Sequence, residues 1–205
     1  MLSLVFMLLP LTVPLSAQDD AGGFTYGELK TGYSLTQFGE GLSERFDAGG
    51  FSSSGGAISS IAAYRKFSTL RHLHFGIKFK GMGSGPAVGS GGEEMFFNFW
   101  GASVSVKYFP FNDLGRKGVF LLGDFNFATQ FTQKYRNVAA LEFDHQFAIG
   151  NSLTLGVGYH LPLGNRFGLI GSVEYDIASR EGEVEGVGDR TFRNTNLAVQ
   201  VGLLF

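Results

Sequence analysis

The 205-residue chain holds 31 Gly, 22 Phe and no Cys, and only 17% of its residues are charged. Without Cys there can be no disulfide, thiolate metal site, Cys nucleophile or acylated lipoprotein N-terminus, which suits an exported chain that never manages thiol oxidation. A formal charge of −2 offers no basic patch for nucleic acid.

The chain opens with "MLSLVFMLLPLTVPLSAQDD", apolar from Leu2 to Leu15, then small residues, then acids. This pattern predicts a secretory signal over residues 1–17, cleaved after Ala17, with residues 18–205 as the mature domain. An N-terminal membrane anchor is the alternative. The stretch falls short of the roughly 20 apolar residues a spanning helix needs, and Pro10 and Pro14 interrupt it. No Lys or Arg precedes Lys30, so the usual basic start of a signal is missing. No later stretch reaches helix-spanning length, so any membrane crossing after the signal must be made by strands.

Downstream, segments with period-two character alternate with Gly, Pro, Asn and Asp clusters. The first runs from about Phe24 to Leu35 and the second from about Ala57 to Phe67, where the parity of the faces is not assignable. "HLHFGIKFKG" sets Leu73, Phe75, Ile77 and Phe79 against His72, His74, Gly76, Lys78 and Lys80. "WGASVSVKY" sets Trp100, Ala102, Val104, Val106 and Tyr108 against Gly101, Ser103, Ser105 and Lys107. "LLGDFNFATQF" opposes Leu121, Phe125, Phe127 and Phe131 to Leu122, Asp124, Asn126 and Gln130. "SLTLGVGYHL" opposes Leu153, Leu155, Val157, Tyr159 and Leu161 to Thr154, Gly156, Gly158 and His160. "FGLIGSVEYDI" opposes Phe167, Leu169, Val173, Tyr175 and Ile177 to Ser172, Glu174 and Asp176. The last segment carries Leu197, Val199, Val201, Leu203 and Phe205 on one parity. An apolar ridge of this kind needs a cover, and lipid supplies one where no further chain does.

The connections alternate in length. Tight turns are expected around "FSTLR", "PFNDLGRKG" and "PLGNR", and long loops at "TQFGEGLSERFDAGGFSSSGG", "GSGPAVGSGGEEM", "KYRNVAALEFDHQ" and "SREGEVEGVGDR". Short turns on one side and long loops on the other predict an all-β, eight-stranded antiparallel up-and-down transmembrane barrel, with the turns and both termini in the periplasm. A soluble eight-stranded barrel of the lipocalin type would invert the faces, apolar side in. Alternation alone does not separate the two. The signal, the terminal Phe and the mid-strand charges Lys78, Asp124 and Glu174 favour the membrane form.

On these features the chain resembles the small eight-stranded outer-membrane barrels of the OmpA and OmpX type, the outer membrane protein β-barrel domain family, over its whole mature length. The resemblance implies a Gram-negative outer-membrane location, lipid and lipopolysaccharide as neighbours, a monomer, and no cofactor. It also implies that Leu197, Val199, Val201, Leu203 and Phe205 form the signal read by the barrel-assembly machinery. Tyr26, Tyr33, Phe97, Trp100, Tyr108, Tyr159 and Tyr175 are candidate girdle aromatics. No peptidoglycan-binding domain of the OmpA kind follows, so cell-wall anchoring is not implied.

Enzymatic readings need a nucleophile and a base within reach. Of the four histidines, His145, beside Asp144 in an expected surface loop, is the one placed where lipid-modifying barrels work, and it reads as a solvated loop histidine. His72, His74 and His160 on the inward parity could bind a metal or simply fill the lumen. "GMGSGPAVGSGG" lacks the Lys and the strand-to-helix setting of a phosphate cradle and reads as a loop. Glu40, Glu44, Asp47, Glu93, Glu94, Glu142, Asp144 and "EGEVEGVGD" would make the surface rim acidic, in a spacing that matches no calcium loop. Non-enzymatic structural or surface-binding roles are expected; a lipid-modifying enzyme and a small-solute porin are the alternatives.

The inward parity collects Glu28, Lys30, Lys78, Lys80, Lys107, Asp124, Glu174 and Asp176, bases mostly early in the chain and acids mostly late. An eight-stranded barrel is just wide enough for side chains to fill. Pairing of Lys78 or Lys80 with Glu174 or Asp124 across the lumen is expected to plug it.

Overall fold

The computed structural model describes residues 24–39, 55–67, 69–84, 87–111, 117–137, 142–164, 167–184 and 188–205. The expected signal segment lies outside these residues, as do Glu40, Glu44, Asp47 and Glu185. Eight long strands are present: β1 Phe24–Phe38, β2 Gly55–Lys66, β3 Leu73–Ser84, β4 Glu94–Tyr108, β5 Gly118–Asn137, β6 Glu142–Pro162, β7 Gly168–Val184 and β8 Gly188–Leu204. Each pairs antiparallel with its chain neighbours, and β1 pairs with β8, which closes the sheet into an up-and-down barrel.

Exposure settles which face meets the solvent. Leu29, Ile77, Phe79, Val104, Phe125, Leu155, Val173, Val199 and Val201 point outward, between 44% and 63% exposed, while the eight charged side chains of the inward parity point into the lumen. An exterior apolar band running around every strand far exceeds the patch a water-soluble monomer tolerates, and hydrocarbon is the medium that accepts it. The lipocalin arrangement is thereby excluded. On β2 the faces now separate: Ile58, Ser60, Ala62, Tyr64 and Lys66 face in, and Ala57, Ser59, Ile61, Ala63 and Arg65 face out.

Three sequence expectations require correction. First, two supposed loops are mostly strand: β5 and β6 pair as far as Asn137 and Glu142, and β7 and β8 as far as Val184 and Gly188. Backbone pairing satisfies every second amide there, so polar composition was no bar to strand formation. Half of "GMGSGPAVGSGG" is likewise strand, since β3 runs to Ser84 and Ala87–Val88 pairs with Met95 and Glu94 before a turn at Gly92, whose φ is 82°. Second, a β-bulge at Phe127–Ala128 inserts one extra residue, turning Thr129 inward and Gln130 outward, the reverse of its expected side. Third, Tyr26 and Phe97 are not girdle residues: they are buried inside the lumen. Tyr33, Trp100, Tyr108, Tyr159 and Tyr175 do face outward.

The sheet must curve tightly, and glycines allow it. A Cβ on Gly32 would stand 1.9 Å from the Val199 carbonyl oxygen, and one on Gly202 2.0 Å from that of Leu29. Both lie on the β1–β8 seam, where bare backbone is required for close approach. The seam ends in a mutual backbone pair between Gly27 and Phe205, with the Phe205 ring laid over Gly27.

Candidate functional site

The lumen is filled in three layers. Nearest the short turns, Tyr26, Ala62, Tyr64, Phe109, Phe120, Leu122, Ile170 and Leu204 pack together, with Phe24 against them. Tyr26 stacks on Tyr64 with centroids 5.4 Å apart, and Phe109 lies 5.7 Å from Phe120. His74 and His160 belong to this layer: they lie 4.6 and 5.1 Å from the Phe109 ring, and His74 Nδ1 shares a 2.9 Å hydrogen bond with the Tyr26 hydroxyl. His72 sits at the turn, its Nδ1 2.8 Å from the Phe109 carbonyl oxygen. Among the described residues no three His, Asp or Glu side chains gather as a metal site.

The middle layer is polar, and it brings together all eight of the lumen charges named from the sequence. Alternation on β3 places Lys78 and Lys80 inward; the same parity places Glu174 and Asp176 inward on β7. Lys78 Nζ donates to Asp124 Oδ2 at 2.8 Å and to Glu174 Oε2 at 2.7 Å. Glu174 also accepts from Lys30 and, at 2.9 Å, from Ser172 Oγ. Lys80 Nζ lies 2.7 Å from Asp176 Oδ1, which further accepts from Ser152 and Thr154 at 2.9 and 2.6 Å. Lys107 pairs with Glu28 and stands 4.3 Å from the ring centres of Tyr64 and Phe120. Ser105 Oγ donates to Asp124 Oδ1 at 2.5 Å. Ser60 of β2 donates to Gln200 of β8 at 3.1 Å, and Asn126 of β5 to Thr154 of β6 at 3.1 Å.

The ion pairs join strands that are not neighbours in the sheet. Lys107 of β4 meets Glu28 of β1, and Lys78 of β3 meets Glu174 of β7. The set contains four lysines and four carboxylates, so charge balances within the layer. Buried charges are tolerable only when paired and hydrogen-bonded, and each of these eight has a partner of opposite sign.

Toward the hairpin end a second apolar layer closes the stack: Ile58, Met82, Ala87, Met95, Phe97, Phe99, Ala148, Phe192 and Ala198, with Phe38 packed against it. Arg180 lies beneath, its guanidinium carbon 5.2 Å from the Phe99 ring centre, donating to Asn194 Oδ1 at 2.5 Å and from Nη2 to Thr129 Oγ1 at 2.6 Å. Sequence reasoning missed this cation and both apolar layers. The signal was present in parity, since Tyr26 shares a face with Glu28 and Lys30, and Phe97 and Phe99 share one with Gly101 and Ser103. Asp144 and His145 fall on β6, paired in register with Tyr135 and Lys134; their side chains lie outside the described set. Leu197, Val199, Val201, Leu203 and Phe205 all face outward on the seam strand and at its end.

No protein-family model matches the sequence, and no curated protein matches it. Solved structures do. Ail, the attachment invasion locus protein of Yersinia pestis, superposes with a TM-score of 0.57 at 10% identity, covering 91% of this chain and 100% of Ail. Its complex with the heparin analogue sucrose octasulfate gives 0.56 at 10% identity, over 88% and 99% of the two chains. Neisserial surface protein A gives 0.51 at 12% identity, over 87% and 95%. At such identities the likeness is one of fold: an eight-stranded transmembrane barrel of the kind that bacterial outer membranes hold.

Proposed function

We propose that this barrel serves the outer membrane as a non-enzymatic structural or surface-binding protein, with a lumen closed to solutes. The observation that supports this reading best is the stack of two aromatic layers around a charge-balanced middle. A conducting path needs a continuous polar track, and the rings of Phe109 and Phe120 at one end and of Phe97, Phe99 and Phe192 at the other interrupt it. In planar bilayers the purified barrel should show at most small, infrequent openings. A large, steady conductance would make it a porin.

The hairpin end faces outward from the cell in this reading. Its carboxylates with described side chains, Glu93, Glu94, Glu181 and Asp189, outnumber the exposed Arg190 and Arg193 beside them, a balance that favours cationic groups, or lipopolysaccharide phosphates bridged by divalent cations. That is the opposite charge preference from the polyanionic sucrose octasulfate seen on Ail. Overexpression should leave lipid A chemically unchanged; a new acylation or deacylation product would favour the lipid-modifying enzyme instead.

The apolar terminal strand serves as the address for the barrel-assembly machinery. Phe205→Asp tests this, because a carboxylate near the membrane border costs at most about 1 kcal/mol, about fivefold in an equilibrium. A loss of assembled protein well beyond fivefold, measured as the heat-modifiable band in outer-membrane fractions, together with normal folding of the purified variant in vesicles, would therefore report failed recognition and not weakened stability. Normal levels of the variant would remove this part of the reading.

A further inference from the structure

The turn end of the barrel carries a collar that combines cations and large apolar side chains on the outside. Arg65 is on the outward parity of β2, directly below Ala63 and Ile61, with its guanidinium carbon 5.5 Å from the ring centre of Phe67. Arg71 and Lys117 are exposed in the adjoining turns. At the same end, in the three turns, Leu70, Phe111, Leu163 and Phe167 are exposed by 42%, 85%, 64% and 65%. Among the described residues, no Asp or Glu faces outward at this end; Glu93, Glu94, Glu181 and Asp189 are all at the other.

From this juxtaposition we propose that the collar is a docking surface for anionic phospholipid headgroups, phosphatidylglycerol-like, in the membrane leaflet at the turn end. Cations at the lower border of an apolar band sit at headgroup depth, where long basic side chains reach the interface while their stems stay in hydrocarbon. Phosphodiesters of net negative charge answer Arg65, Arg71 and Lys117, and Arg is suited to bidentate contact with phosphate. A hydrated anionic polymer such as cell-wall glycan would satisfy the cations too. It would leave Phe111, Leu163 and Phe167 in water, whereas the glycerol and upper acyl region of a lipid covers them. The proposal rests on the membrane reading of the barrel but not on its conductance or surface ligand.

The test is lipid selectivity of the purified full barrel in vesicles of phosphatidylcholine containing spin-labelled phosphatidylglycerol or spin-labelled phosphatidylcholine. Wild type should prefer phosphatidylglycerol several-fold, and the preference should shrink as salt is raised. Arg65→Gln with Arg71→Gln and Lys117→Gln should abolish it, a cation in close headgroup contact being able to shift the association of the lipid it touches by at most about fivefold. Arg65→Lys should retain it, and Arg190→Gln with Arg193→Gln at the opposite end should leave it unchanged. Equal association of the two lipids with wild type, or a preference that follows Arg190 and Arg193, overturns the proposal. Capture of wild type by purified cell-wall sacculi, lost in the triple variant and without lipid preference, would assign the collar to the polymer instead. Failure to insert into either vesicle would show that the membrane reading itself is wrong.

Discussion

Glu174→Ala should destabilise the barrel by about 3–5 kcal/mol, the range expected when one partner of a buried ion pair is removed. Glu174 is the shared acceptor of Lys30 and Lys78, and it is 3% exposed. Without it Lys78 keeps Asp124, while Lys30, among the described residues, keeps the Ser172 hydroxyl at 3.1 Å as its side-chain hydrogen bond. The cost is therefore the price of a stranded ammonium more than of a lost attraction. Two comparisons separate these. Lys30→Met in the Glu174→Ala background should recover much of the loss by removing the orphan, and Glu174→Gln, which keeps the shape and one acceptor, should fall between. Urea unfolding of vesicle-inserted protein measures the stability. In bilayers Glu174→Ala should also raise the frequency of openings. A change below about 1 kcal/mol together with unaltered openings would show that the middle layer does not hold the barrel closed.

Gly202→Leu should have a larger effect still, abolishing the compact heat-modifiable form. The side chain would meet the Leu29 carbonyl oxygen at 2.0 Å from its first carbon, and backbone on both sides of the seam leaves nothing flexible to yield. Overpacking commonly costs about 1–3 kcal/mol; forcing two hydrogen-bonded strands apart belongs with the exceptional losses above about 4 kcal/mol. Gly32→Leu should behave alike, for its Cβ would lie 1.9 Å from the Val199 oxygen. Gly171→Ala and Gly123→Ala are the controls. The first would find its nearest atom at 4.0 Å and the second nothing within 4 Å, so both should migrate as wild type. A folded Gly202→Leu barrel would mean that the seam is looser than its geometry.

How far these features could be read from the chain follows from parity. Strict alternation assigns every position between two breaks once a single residue is placed, which is why Lys78, Asp124, Glu174 and their companions were found from sequence. Tyr26 and Phe97 were misassigned because residue type was allowed to outweigh parity: aromatic rings suit a girdle and a lumen layer equally, and only the face decides. Gln130 was misplaced for a different reason. A bulge shifts the phase by one residue, and nothing in "DFNFATQF" forces one at Phe127–Ala128; it arises from pairing with β4 and β6. The hairpin extensions of β5 to β8 were read as loops because their sequences are rich in polar residues, as strands beyond a membrane's edge can be. That Lys78 or Lys80 meets Glu174 or Asp124 was legible, and Lys78 meets both; the pairing of Lys30 with Glu174, of Lys80 with Asp176 and of Lys107 with Glu28 was not, since it depends on the stagger of strands across the lumen.

That stagger gives the interior a second task. On β8 the exterior repeats Leu197, Val199, Val201 and Leu203, a row in which each residue is an acceptable substitute for the next. Sliding β1 along β8 by two residues would leave such a row facing lipid and would keep inside and outside correct, so the membrane face cannot detect the error. The charges can. A two-residue slip moves Glu28 and Lys30 about 7 Å along the seam, away from Lys107 and Glu174, and breaks two ion pairs. The repetitive exterior thus fixes only odd from even, while the non-repeating ionic interior selects one alignment from the even set, acting as a key for the closing of the first strand upon the last.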